Sequence, residues 1–331
     1  MGSGPSQEDY ERISLELYEL ALQNTCVLPD IGIDESLLRY SGWDSNVELQ
    51  SFSNELLNSV PGFIEKVVSG LGGLTSVPNA VGLGALVISM ILEILIKSNT
   101  PASEDPYSLI RRVFGEEKAS GVRDKMSEYL KRHRMFINDD RQLLEEMRSL
   151  EQQLSDKLTI LKNSLLHDGQ MSSRGFKIWV NGASFHLQML IHEARLNFRA
   201  RKPLPKSVDT IKTVIDIYLH DLDSLLKKYK TYMTYKTDSP LLRLSSPPIC
   251  LHFCIYSICV ISNTKCSVKH QRSLKDLHDP CEGSEMTGAY LNHVFSKYEP
   301  ILGLKSHFSN IKNNINFIIR QNGWFTLSST T

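Results

Sequence analysis

The chain holds 331 residues, with 37 basic and 37 acidic side chains. That length can bury one large core or two ordinary ones, and the balanced charge excludes a global field that would draw in nucleic acid or an anionic membrane surface. Of the six cysteines, five lie between Cys250 and Cys281 and the sixth is Cys26, a spacing unlike a disulfide framework; with a polar, acidic N-terminus that lacks the charged-then-apolar layout of a leader, it predicts a reducing, cytoplasmic setting.

Residues 1–7 are expected to be a disordered tail. MGSGPS sets Gly2 behind the initiator Met1 with Ser6 following, which fits the pattern for N-myristoylation. One myristoyl chain gives only marginal membrane binding, K about 10⁴ M⁻¹, so such a lipid would need a second membrane-seeking element. Residues 8–97 read as N-terminal helices and an apolar hairpin. Tyr10, Ile13, Leu17, Leu20 and Ala21 give a helix from Glu8 to Asn24 one apolar face. Asp34 can cap a short helix to Tyr40, and Asp44 or Ser45 a further one that Pro61 kinks or restarts.

The stretch from Val60 to Ile96 organises the N-terminal part. Phe63, Ile64, Val67, Val68 and Leu71 make one amphipathic arm, which Gly70, Gly72 and Gly73 stop. Ser76 or Asn79 then starts a nearly uniform apolar arm, in which Ala80 to Leu92 runs unbroken and includes Val81, Leu83, Leu86, Val87, Ile88, Met90 and Ile91 before Glu93. Thirteen residues at a helical rise span only about 20 Å, short of a membrane crossing. Left in water, each large side chain would cost roughly 1.5–3 kcal/mol, so a helical bundle, a partner or lipid must cover them. Gly82, Gly84, Ala85 and Ser89 would let another helix approach closely, in lipid or in a protein core.

Residues 98–106 read as a polar linker with two prolines, and 107–238 as a long-helix bundle. Met126, Leu130, His133 and Ile137, then Leu143, Met147, Leu150, Leu154, Leu158, Leu161 and Leu165, recur at threes and fours with one stutter; they predict one long heptad helix over 116–167, ended by Asp168-Gly169. Phe176 to Phe198 is the return helix, with a turn possible at Asn181-Gly182. Arg195, Arg199, Arg201 and Lys202 gather near its end, where they complement the helix dipole or contact a lipid headgroup. Val208, Ile211, Ile215, Tyr218, Leu222, Leu225, Tyr229 and Tyr232 form the strictest heptad, expected to pack along the 116–167 helix.

Residues 239–283 break the style. Ser, Pro and Cys are enriched and helical period is lost, which predicts an irregular, poorly ordered insertion, with Ile255 to Ile261 an aggregation hazard if exposed and a short buried strand or helix as the other outcome. C-terminal helices over 284–331 carry Tyr290, Val294 and Phe295, then Leu304, Phe308, Ile311, Ile315 and Ile318, with Trp324 and Phe325 pinning the tail.

Catalytic and cofactor patterns do not assemble. The glycines at 70–73 and 82–84 lack the lysine and strand-then-helix context of a phosphate loop. His192-Glu193 has no second histidine at the zinc spacing, and Cys250, Cys254, Cys259 and Cys266, with His252 and His270, contain no CxxC pair. No GxSxG elbow and no basic stripe with interleaved aromatics occurs. The expectation is a non-enzymatic chain without metal or cofactor.

An apolar, Gly-rich helical hairpin at 60–96 beside heptad helices at 116–167 and 208–233 resembles apolipoprotein-L-type proteins and helical pore-forming proteins, over roughly residues 45–235. The resemblance implies reversible membrane association, with the cytoplasmic protein peripheral to a membrane; it lies in architecture, so no functional residue carries over. The single, short apolar arm departs from a spanning pore. The expected fold is all-α, an elongated helical bundle with long heptad helices and the apolar hairpin. Two functions follow: the hairpin inserts into lipid, or it stays buried in a soluble scaffold whose heptad faces bind a protein partner or a second copy of the chain, with no nucleic acid involved.

Overall fold

The computed structural model describes residues 6–71, 73–97, 121–137, 139–237, 241–245, 255–263, 266–273 and 283–327. Gly2, Gly72, the 98–106 linker, the start of the predicted 107–238 bundle, Cys250, His252, Cys254 and Cys281 lie outside them. The chain is an all-α helical bundle with little sheet. It forms two compact units, each assembled from separated stretches: Met1–Ile31, Met171–Ser173 and Ser224–Gly303 make one, and Gly32–Gln170, Arg174–Asp223 and Leu304–Thr331 the other.

In the first unit, α1 (Gln7–Gln23) starts on a capping box in which Ser6 and Asp9 satisfy each other's backbone N–H groups. Ile13, Leu17 and Ala21 are fully buried, and α1 packs on α10 (Ser284–Lys297), which buries Tyr290 and Val294. The region read as an irregular insertion forms a three-stranded antiparallel sheet, β2 (Leu241–Ser245), β3 (Ile255–Ser262) and β4 (Ser267–Ser273), with β3 central. The β-branched run that breaks helical period supplies that central strand, and Cys259, Val260 and Ile261 are buried rather than bare. Cys26, in a 3₁₀ turn (Thr25–Val27), is disulfide-bonded to Cys266 across 240 residues, and Cys259 is also disulfide-bonded. This pairing is not readable from the cysteine spacing, because it depends on which residues the fold brings together. The Asn263 amide braces the clasp by donating to the Cys26 carbonyl at 2.9 Å.

In the second unit, α2 (Glu35–Ser41) is capped by Asp34, whose carboxylate accepts from the Ser36 N–H at 2.9 Å. Next, α3 (Ser45–Ser59) stops before Pro61, and α4 (Phe63–Gly70) restarts after Gly62, held at φ +65°. The hairpin is not two helices joined by a turn. A short strand, β1 (Ser76–Pro78), pairs antiparallel with β5 (Trp324–Thr326), so α5 (Leu83–Lys97) begins later than Ser76 or Asn79. Phe325 is fully buried and Trp324 60% exposed, so only the former pins the tail inward.

The predicted 116–167 helix is two helices, α6 (Gly121–Met135) and α7 (Asp140–Leu166), folded back on each other. The apparent stutter is the break: the Asp139 side chain accepts from Arg141 and Gln142 N–H at 3.1 and 3.0 Å and starts a new helix. Conversely, α8 (Ser173–Arg199) runs unbroken through Asn181-Gly182. Asn181 is fully buried and bridges backbone: its amide oxygen accepts from Asp34 N–H at 2.8 Å and its nitrogen donates to the Gly32 carbonyl at 3.2 Å. A Cβ on Gly182 would fall 2.6 Å from Val122 and 2.8 Å from Leu158, so this glycine serves close helix packing rather than a turn.

Most heptad residues are core, while Leu161 and Tyr232 are half-buried. Leu143, Met147, Leu150, Leu154, Leu158 and Leu165 of α7 are buried, as are Val208, Ile211, Ile215, Tyr218, Leu222, Leu225 and Tyr229 of α9 (Pro205–Lys236). Lys162 and Asp221 join α7 to α9 at 3.2 Å. Within this unit α11 (Glu299–Arg320) buries Leu304, Phe308, Ile311, Ile315 and Ile318.

Candidate functional site

Ala80 through Leu92 form an unbroken buried run. Its polar side chain, Ser89, satisfies itself by donating to the Leu86 carbonyl at 2.7 Å. The helices α2, α3, α4 and α6 pack on α5. Phe63 and Val67 of the amphipathic arm are buried and Ile64 is half-buried, so of the predicted lipid-facing residues Phe63, Val67, Val81, Leu83, Leu86, Val87, Ile88, Met90 and Ile91 are shielded from water.

The backbone entering α5 is tightly shaped. Asn79 adopts φ +61° and Gly82 φ +53°, and the Gly82 N–H donates to Ser45 Oγ at 2.7 Å. A Cβ on Gly84 would lie 2.4 Å from the Asn79 carbonyl oxygen, so no larger residue fits that turn unshifted. The neighbouring Ala80 N–H donates to the Gly323 carbonyl at 3.0 Å, which continues the short sheet.

Against this entry turn lies a buried polar layer. Tyr129 and His133 come from α6; Gln188, His192 and Arg195 come from α8 at steps of four and three, one side of that helix. The His133 and His192 rings meet edge to face with centroids 5.3 Å apart, and Tyr129 packs edge-on to His133 and Phe185. Neither nitrogen of either histidine has a hydrogen-bond partner; nor has the Tyr129 hydroxyl, nor either polar atom of the Gln188 amide. Burial pulls His133 down to about 4 and, with the positive charges of His133, Arg195 and Arg199, drives His192 well below its ordinary value. Burial likewise pushes the Tyr129 phenol well up.

Arg195 shows where the sequence misled. Read as a headgroup contact, it is 2% exposed and donates to the Val81 carbonyl at 2.9 Å and to Asn79 Oδ1 at 2.5 Å, tying α8 to the turn before α5. Its Nε has no partner, and burial lowers its pKa to about 9, still cationic at neutral pH. Arg199 pairs with Asp140 at 3.4 Å; Arg201 and Lys202 remain exposed. The four basic residues are therefore not one surface cluster. A helical wheel of α8 would have drawn attention to the side bearing Gln188, His192 and Arg195, but only the fold reveals that this side faces a buried turn.

A small pocket opens between His133, His192, Asn79, Gly84 and Asp140. A wider cleft of about 340 Å³ is lined by Asp34, Glu35, Arg39, Tyr40, Phe52 and Glu93, where Arg39 is engaged by Glu35 at 3.9 Å and Glu48 at 3.5 Å. Elsewhere in the unit, Tyr218, His186 and Glu151 form a hydrogen-bonded chain at 2.9 and 2.7 Å, and Ser184 bonds His307 at 2.9 Å. Among the described residues no group of three or more His, Cys, Asp or Glu is placed to hold a metal ion, and no helix is long and apolar enough to cross a membrane. No family model, curated protein or solved structure matches the chain.

Proposed function

We propose that this chain is a non-enzymatic helical protein that associates reversibly with membrane lipid through residues 60–96, and that the structure is its sheathed state. One observation supports this most: the run from Ala80 to Leu92, wholly hidden, meets unpaired polar side chains on α6 and α8 where it enters its helix. Buried polar groups without partners each cost roughly 1–3 kcal/mol, so the sheath is weakest there, and parting it returns water to those groups. Released, α5 would be about 22 Å long, suited to lying in the headgroup boundary rather than crossing the bilayer. Arg201 and Lys202, exposed past the end of α8, are the remaining candidates for headgroup contact.

The scaffold reading has less surface to use, because most heptad side chains of α7 and α9 are buried within this chain. The experiment is co-sedimentation of the full chain with phosphatidylcholine vesicles, with and without phosphatidylserine, at neutral and acid pH. Lipid association predicts folded protein in the pellet in at least one condition. Folded protein that stays in the supernatant in all of them would overturn it.

A further inference from the structure

We infer that His133 and His192 form a proton-operated latch: taking up protons at this pair parts α6 and α8 from the start of α5. The inference rests on the lipid-association reading for its purpose, but its physics is local. The two imidazoles touch at 5.3 Å between centroids, are only 3% and 2% exposed, and neither nitrogen of either ring has a hydrogen-bond partner. A Cβ on Gly84 would sit 3.7 Å from His192 Cε1, which places that ring at the positive N-terminal end of α5.

The charges around the pair complete the device. From α8 come Arg195 and Arg199; from α7 comes Asp140, already paired with Arg199 at 3.4 Å. From α6 comes Tyr129, and from the entry turn Asn79, whose oxygen is taken by Arg195 at 2.5 Å. Leu83 to Leu92 of α5 offers no titratable side chain. A cation here meets a cation, a helix N-terminus and hydrocarbon; Asp140, the carboxylate that lines the same small pocket, is engaged by Arg199. Both histidines are therefore neutral while enclosed, and their usual imidazole basicity returns once water reaches them. Acid thus favours the parted state, whereas above about pH 6.5 neither state gains a proton and the latch stays shut.

Hydrogen exchange of the α5 amides in the full chain, corrected for the intrinsic effect of pH, tests this. Uptake of two protons makes the opening constant rise by up to about 100-fold per pH unit between pH 6 and 5. Replacing both histidines (His133→Leu with His192→Leu) should flatten that slope, whereas His307→Leu, at another buried neutral histidine, should leave it. A wild-type rise below about tenfold per unit would overturn the latch, and this readout stands even if the double variant fails to fold. A slope lost in His307→Leu and kept in the double variant would also overturn it, assigning the effect to global acid unfolding. Phosphatidylserine vesicles in a parallel arm separate the two claims. Acid-steep opening without pelleting keeps the latch and removes the lipid role; equal pelleting at pH 7.5 and 5 with a flat slope keeps the lipid role and removes the latch.

Discussion

Two buried helices of the same unit are built in opposite ways. The described side chains of α5 up to Leu92 are hydrocarbon apart from one self-satisfied serine, while α8 buries Asn181, Ser184, His186, Gln188, His192 and Arg195. Within α8 these polar residues divide along its length. Asn181, Ser184 and His186 are fully engaged with backbone, His307, Tyr218 and Glu151; Gln188 and His192 have nothing, and Arg195 is satisfied in part. The engaged half fixes how the helices register against one another. The unengaged half lies where α8 meets the apolar helix, and there the same residue types lower the cost of separation.

The comparison breaks most sharply if a charge is put into α5. Leu86→Lys or Ile88→Lys would leave an unpaired ammonium at a site 3% or 1% exposed, and each should cost about 3–5 kcal/mol, read as a lowered denaturation midpoint with loss of far-UV helicity. Such variants unfold the sheath, so they cannot report on lipid binding alone. Acid acts on a similar scale. His133 and His307 sit near 4 in the folded chain and His192 well below 6.5, whereas unfolded histidine titrates near 6.5; stability is complete above that value and falls by up to about 1.4 kcal/mol per histidine per pH unit as pH drops toward 4. Urea midpoints at pH 7.5, 6 and 5 check this. Replacing Arg195 with Met should cost about 2–3 kcal/mol by stranding the Val81 carbonyl and the Asn79 oxygen, measured in the same urea titrations at neutral pH. Gly84→Ala and Gly182→Ala should each cost about 1–3 kcal/mol from the close atoms a methyl would meet, seen as lower thermal midpoints. The smallest effect is at the surface: Lys312→Ala, which removes the ion pair with Asp216, should shift urea stability by less than about 1 kcal/mol.

Periodicity carried the fold class and most of the core, because hydrophobic spacing is a local property of a helix. The heptads of α7 and α9, the cap at Asp34 and the break at Pro61 and Gly62 all follow from residues near in sequence. Features set by distant partners were not legible. Gly182 is shaped by Val122 and Leu158, so Asn-Gly looked like a turn; Asp139 separates two helices that a tolerant heptad count had fused. Cys26 finds Cys266 only after folding, and β3 becomes a strand because β2 and β4 flank it. The candidate site suffers most from this limit. Its apolar half is visible as a run of letters, but the polar half combines residues from 79 to 195, and a surface role for Arg195 was the natural inference until Asn79 and Val81 were seen to hold it.

The chain itself hides the run from Ala80 to Leu92. Thiol labelling of a Ser89→Cys variant measures this most directly, since Ser89 is 1% exposed and cysteine nearly matches it in size. At neutral pH without lipid, peptide-resolved alkylation should find the introduced thiol unreactive for as long as the fold persists. Its labelling at the rate of a free thiol, in protein that keeps its helical signal, would contradict the account.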